Sequence, residues 1–148
     1  MNDAATLTSD EIAVARALEG VIGWLRQSRQ PQELSASALS VLSRLESAGA
    51  LRITAIAERE GLSQPGTTTL VNRLVAAGLA DRGADPADGR VVLVSISDAG
   101  LLRLTHYRES RSELVAARLR TLSAADRQAL TAALPALTHI VQTEEDAS

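Results

Sequence analysis

A mainly α-helical chain with one small β-hairpin is the fold class this sequence predicts, on three observations. Apolar residues recur at helical spacing through most of the 148 residues. Two alternating, strand-like segments flank one turn-rich stretch, DPADG at 85–89. Aromatic content is 1%, with Trp24 and Tyr107 the two large rings, so the core must be built from Leu, Val, Ile and Ala. Such a core suits helices packed through leucine ridges.

The elements follow in order. Ile12, Val14, Leu18, Val21, Ile22 and Leu25 share helical spacing and give a first helix from about Ser9 to Gln30, ended by Pro31. Ser35 or Ser37 caps a second helix carrying Leu39, Leu42 and Leu45, which stops at Gly49. ALRI reads as a short extended piece, and Thr54 opens a brief third helix, TAIAERE, closed by Gly61. Ser63 caps a fourth helix running to Gly78, with Pro65 in its first turn, where a missing N–H costs nothing. LADRGA and RVVLVSI then form a hairpin around DPADG. Ser97 caps a long helix to about Thr121, its apolar stripe interrupted by Arg108 and Arg111. The last helix opens with SAAD, a capping-box pattern, carries Leu130, Leu134, Leu137 and Val141, and should kink near residues 131 to 135 because of Pro135. TEEDAS at the end reads as frayed.

Composition excludes several classes. The apolar share of 45% supports one sizeable core, hence one domain with helical extensions. Without cysteine there are no disulfides, thiolate metal sites or thiol redox switches. No run of about 18 apolar residues exists to span a bilayer. The start, MNDAATLTSDE, is acidic and lacks the apolar stretch of a secretory signal, so a soluble cytoplasmic protein is expected. An enzyme needs a convergent nucleophile, base and charge stabiliser. Isolated His106 and His139, with no glycine-rich phosphate loop, supply none, and without clustered carboxylates they make a poor metal site. Neither enzyme activity nor a cofactor is expected. The net charge of −3 argues against strong non-specific nucleic-acid binding, yet residues 52–90 balance five arginines against five acids. All 15 basic residues are arginine, the better donor for bidentate phosphate contacts.

Two short helices joined by a tight turn and followed by a hairpin are the winged helix-turn-helix arrangement. It is expected over 34–97, with 1–33 and 98–148 forming a helical dimerisation region from both termini. In ITAIAEREGLSQPGTTTLVNRLVAAG, small Ala57 lets the helices approach while Ile56, Leu62, Leu70, Val71 and Leu74 attach them to the core. The fourth helix then turns Gly66, Thr69, Asn72, Arg73 and Ala76 outward, with Thr68 at the edge. Hydroxyls and amides there can meet base edges in a major groove, and Arg73 a phosphate. Ser63 and Gln64 begin this helix, whose free N–H groups suit a phosphate. The alternative is a polar face that is merely solvated. At the hairpin tip Asp88 lies two residues before Arg90, which in extended backbone puts them on one side. The carboxylate can thus brace a guanidinium held out for a partner, or simply pair with it across the hairpin.

LSQPGTTTLVNRLVAAGLADR and DPADGRVVLVSISDAG, with the flanking long helices, resemble the MarR family of winged-helix regulators. The likeness runs from Leu34 to Gly100, and over nearly the whole chain once the terminal helices are included. The second stretch is the more specific, through its spacing from DPADGR to SDAG. The resemblance implies a transcriptional regulator, commonly a repressor, that binds a palindromic double-stranded DNA operator. It implies an obligate homodimer held by the first, fifth and sixth helices. It also implies that Arg90 meets a minor groove or its phosphates, with Asp88 positioning the wing. A small aromatic or phenolic effector is implied near Trp24 and Tyr107, with His106 beside them, although packing is the ordinary use of such rings. Relatives often carry a longer or basic side chain where this chain has Thr69, which leaves its base preference open. The missing cysteine excludes the thiol-oxidation switch of the peroxide-sensing branch. The acidic balance suits a rival reading, a helical dimeric adaptor for proteins whose winged domain reads no DNA.

Overall fold

The computed structural model describes residues 7–28 and 34–142. The expected helix end at Gln30 and Pro31, and the TEEDAS tail, lie outside these residues. The elements are α1 (Ser9–Gln27), α2 (Ala36–Ala48), β1 (Leu51–Arg52), α3 (Ile53–Arg59) and α4 (Gln64–Ala76). They continue with β2 (Ala80–Ala84), β3 (Val92–Ile96), α5 (Asp98–Leu119), α6 (Ala124–Ala132) and α7 (Leu134–Gln142). The chain divides into two compact units, Met1–Tyr107 and Arg108–Ser148.

α1 starts from a capping box that the apolar periodicity did not reveal. The Thr8 hydroxyl accepts from the Glu11 N–H, and the Glu11 carboxylate accepts from the Thr8 N–H. The helix ends at Gln27, where the Ser28 N–H (3.0 Å) and hydroxyl (2.9 Å) both donate to the Trp24 carbonyl. Ser35, not Ser37, caps α2, and Gly49 ends it at φ +76°. α3 begins at Ile53, one residue before the expected Thr54, with no side-chain cap from Arg52.

The core of the first unit is made by one face of α2, centred on Val41, Leu42 and Leu45, against Ile56 of α3 and Val71 and Leu74 of α4. Val94 of β3 and Leu104 of α5 close it. Two features turn the chain from α3 into α4 within a few residues. Gly61 takes φ +61°, open to glycine at little cost, and the Leu62 N–H donates back to the Ala57 carbonyl at 2.9 Å. The expected hairpin is part of a three-stranded antiparallel sheet, order β1-β3-β2, because Leu51 and Arg52 pair with Val94 and Leu93.

Gly100 shows what the SDAG sequence is for. The Ser97 hydroxyl accepts from the Gly100 N–H at 3.0 Å and donates to the Gly78 carbonyl at 2.6 Å, tying the start of α5 to the end of α4. A Cβ on Gly100 would lie 2.1 Å from the Leu79 carbonyl oxygen, so only glycine permits this approach.

In the second unit Ser123 caps α6, accepting from the Asp126 N–H at 3.1 Å. The interruption falls at Ala133, inside the region expected to kink, and is a full break that separates α6 from α7. Pro135 has no N–H to donate to Thr131, so the α-helical ladder breaks there and restarts with Leu137 N–H to the Ala133 carbonyl at 3.0 Å.

Candidate nucleic-acid interface

The exposed side of α4 follows from which residues its core face takes. Val71 and Leu74 are buried, which turns Gly66, Thr69, Asn72, Arg73 and Ala76 outward, as their spacing requires, with Thr68 at the edge. Thr67, the threonine not singled out by spacing, is fully buried. Its hydroxyl donates to the Ser63 carbonyl at 3.0 Å, which removes the cost of burial. Thr68 and Thr69 likewise donate to the Gln64 (2.9 Å) and Pro65 (3.0 Å) carbonyls. Their hydrogens are spent inside the helix, leaving each hydroxyl to act outward as an acceptor beside a methyl group.

The start of α4 corrects one expectation, that of a row of free N–H groups. Pro65 has none. The Gly66 N–H is held by the Ser63 hydroxyl at 3.3 Å, and the Thr67 N–H by the Ser63 carbonyl at 2.9 Å. What this end retains for an anion is Gln64. Gly66 is small for a reason nearer than any partner, since a Cβ there would sit 2.9 Å from the Ser63 hydroxyl oxygen.

The wing corrects a second. Arg90 does not continue the strand; it lies in a turn closed by Val91 N–H to the Asp88 carbonyl at 2.9 Å. Asp88 Oδ1 accepts from the Arg90 backbone N–H at 3.1 Å, so it fixes the loop through the backbone, and Arg90 itself is exposed. The expected same-side brace requires extended backbone, whereas an aspartate side chain readily folds such a loop onto itself. Asp85 fixes the base of the wing. Its Oδ1 accepts from the Ala87 N–H at 2.9 Å, its own N–H donates to the Val91 carbonyl at 2.8 Å, and its Oδ2 pairs with Arg52 at 3.5 Å.

Sequence reasoning did not find Arg82. Its Nη2 donates to Asn72 Oδ1 at 2.6 Å, joining β2 of the wing to α4. The sheet register accounts for this, because Arg82 pairs with buried Val94 and so shares its helix-facing side. Pairing register cannot be read from ADRGA alone. Glu60 accepts from Ser40 and from Arg44 (3.0 Å), holding the end of α3 to α2.

Trp24 is half-buried on α1, Tyr107 packs at the margin of the core, and neighbouring His106 is exposed. A recess of about 230 Å³ in the second unit is lined by Leu119, Arg127, Leu130, Thr131 and Leu134 and includes none of these three. Among the described residues no group of three His, Cys, Asp or Glu side chains is placed to hold a metal ion. No helix among them is long and apolar enough to cross a membrane.

Comparison with known proteins bears directly on this arrangement. The MarR family profile matches residues 34–92. An HTH-type transcriptional regulator of Mycobacterium bovis is 38% identical over 109 residues, covering 74% of this chain and 76% of the relative. The HTH-type transcriptional repressor MdtR of Bacillus subtilis is 26% identical over 117 residues, covering 78% and 76%. Among solved structures, the PcaV transcriptional regulator of Streptomyces coelicolor, crystallised with its natural ligand, is 26% identical with a TM-score of 0.55, covering 99% of this chain and 100% of that one. All three are transcriptional regulators.

Proposed function

This chain belongs to the MarR family of transcriptional regulators, and from that premise we propose that it is a cytoplasmic, sequence-specific repressor acting as a homodimer on a palindromic operator. The observation that carries the reading is the outward face of α4, with Thr68, Thr69, Asn72 and Arg73 beside a wing whose tip holds out Arg90. The α4 face enters the major groove, where the threonine oxygens and methyls and the Asn72 amide meet base edges and Arg73 meets phosphate. Arg90 enters or flanks the neighbouring minor groove, on a loop that Asp88 shapes. Gln64 and Ser63 lie where α4 meets the backbone.

One protomer makes few phosphate contacts. Two copies reach the roughly six to ten that give salt-sensitive, useful affinity, with recognition helices about 34 Å apart on successive major grooves. Repression is supported by MdtR, which is a repressor. Response to a small molecule is supported by PcaV, a transcriptional regulator crystallised with its natural ligand, and for this chain the proposed effector is a small aromatic or phenolic molecule that relieves repression. In this chain Trp24, His106 and Tyr107 are the residues proposed to meet such a molecule. A coupling of about 1–3 kcal/mol between effector and operator would change DNA affinity roughly 5–150-fold.

An anisotropy titration against the DNA upstream of the gene tests the reading. The wild-type chain is expected to bind as a dimer and to weaken as salt rises. Arg73→Ala and Arg90→Ala should bind more weakly, with a salt slope reduced by about one for each phosphate that goes unmet. Absence of binding to any such fragment at low salt would favour the protein adaptor instead.

A further inference from the structure

Asn72 and Arg82 are bonded to each other on the surface assigned to DNA, Arg82 Nη2 donating to Asn72 Oδ1 at 2.6 Å. A guanidinium has donors only, so the amide atom facing it must be the oxygen. Turned over, the amide would set N–H against N–H. One of the two Oδ1 lone pairs is thereby taken and a cationic guanidinium stands beside the oxygen, so a further N–H donor approaching it meets like charge, while the Asn72 NH2 group keeps its two donors. Arg82, with five N–H donors of its own, adds more of the same sign.

Major-groove chemistry makes this consequential. An asparagine reads adenine bidentately, its oxygen accepting from N6–H2 while its nitrogen donates to N7. Guanine presents N7 and O6, both acceptors. We propose that Arg82 is a specificity-determining residue: by engaging Oδ1 of Asn72 and setting its positive charge beside it, it makes the pair a mainly donating reader that selects guanine where an unconstrained asparagine would select adenine. This rests on the DNA-reading function proposed above and deepens it. The register that pairs Arg82 with buried Val94 aims it at α4, and the edge position of β2 lets the guanidinium emerge at the surface. The device thus crosses from wing to recognition helix within one protomer.

Selection from a pool of randomised duplexes, using the full chain, tests it. The wild type should enrich guanine at one position in each half-site. Arg82→Met, which keeps the apolar stem but frees Oδ1, should move that position towards adenine by about tenfold in relative enrichment, on the scale of one bidentate base contact. Arg82→Lys still donates to Oδ1 and should keep guanine, and adding Asn72→Ala to Arg82→Met should erase the adenine preference. Both residues are exposed, so these changes do not threaten the core. Adenine preferred by the wild type, or one preference shared by wild type and Arg82→Met, would overturn the assignment of Arg82 while leaving the regulator intact. Failure of the wild type to enrich any sequence would overturn both.

Discussion

The same residue types meet opposite fates in two regions of this chain. Between α2 and the start of α5, leucines, valines and isoleucines close a core in which Val41, Leu42, Ile56, Val71 and Val94 are fully buried. Helices α1, α6 and α7 are comparably amphipathic, yet within one chain they bury no residue at all. Ile12, Val14, Val21 and Ile22 on α1, and Leu130, Leu134, Ile140 and Val141 on α6 and α7, remain exposed. Apolar area left in water carries an unfavourable free energy of about 25 cal/mol per Å². Contiguous exposed patches of it mark surfaces that another molecule covers. The reading head is completed by its own chain. The terminal helices, under the function proposed above, are completed by a second copy.

The largest effect is expected from breaking that second kind of core while sparing the first. Val21 is 51% exposed and Leu134 56% exposed, so a charge at either costs a single chain little. In a dimer interface the same charge is desolvated without a partner. Val21→Glu combined with Leu134→Glu should therefore give a folded single chain by analytical ultracentrifugation. Its operator affinity should fall by two orders of magnitude or more, roughly what halving the phosphate contacts implies. A variant that stays dimeric would show that these faces are covered in some other way.

The contrast also governs what the sequence could reveal. Helical spacing located α1 to α5 because periodicity and caps are local, and Ser35, Ser63, Ser97 and Ser123 all serve as caps. The outward set on α4 was legible for the same reason. What escaped depended on pairing between distant segments: β1 joining β3, Arg82 reaching Asn72, Arg52 reaching Asp85. Asp88 is different in kind: it shapes the wing loop, but two-residue alternation holds in extended backbone, and its own side chain folds this loop into a turn. Periodicity also marked every apolar stripe alike, and could not say which stripes one chain closes by itself.

A smaller effect sharpens the comparison from the other side. In Gly100→Ala the new Cβ meets the Leu79 carbonyl oxygen at 2.1 Å and Ile96 Cγ1 at 2.8 Å. Backbone oxygen cannot swing aside as a side-chain end can, so α5 must shift from the sheet. A loss of about 3 kcal/mol is expected by urea denaturation, at the upper end for overpacking. Because this contact lies within the head, the loss should not depend on protein concentration, whereas a defect in the dimer interface should.

The smallest effect concerns the start of α1, which no core contact reinforces. The Glu11 carboxylate accepts from the Thr8 N–H at 2.6 Å and from the Thr8 hydroxyl at 2.8 Å, and these bonds hold its pKa below the ordinary 4.5. A carboxylate whose pKa is lowered on folding contributes fully above its ordinary value, and the contribution is lost as pH falls through the folded value. A carboxyl NMR titration of the wild type should therefore give a Glu11 midpoint below 4.5. Thr8→Ala removes the hydroxyl but keeps the backbone N–H, the larger of the two causes. Its midpoint should rise only part of the way back, with α1 fraying at its first turn and the reading head unchanged. A complete return to 4.5 would mean that the backbone half of the capping box had opened too, so that a helix without core contacts depends on this one hydroxyl for its first turn.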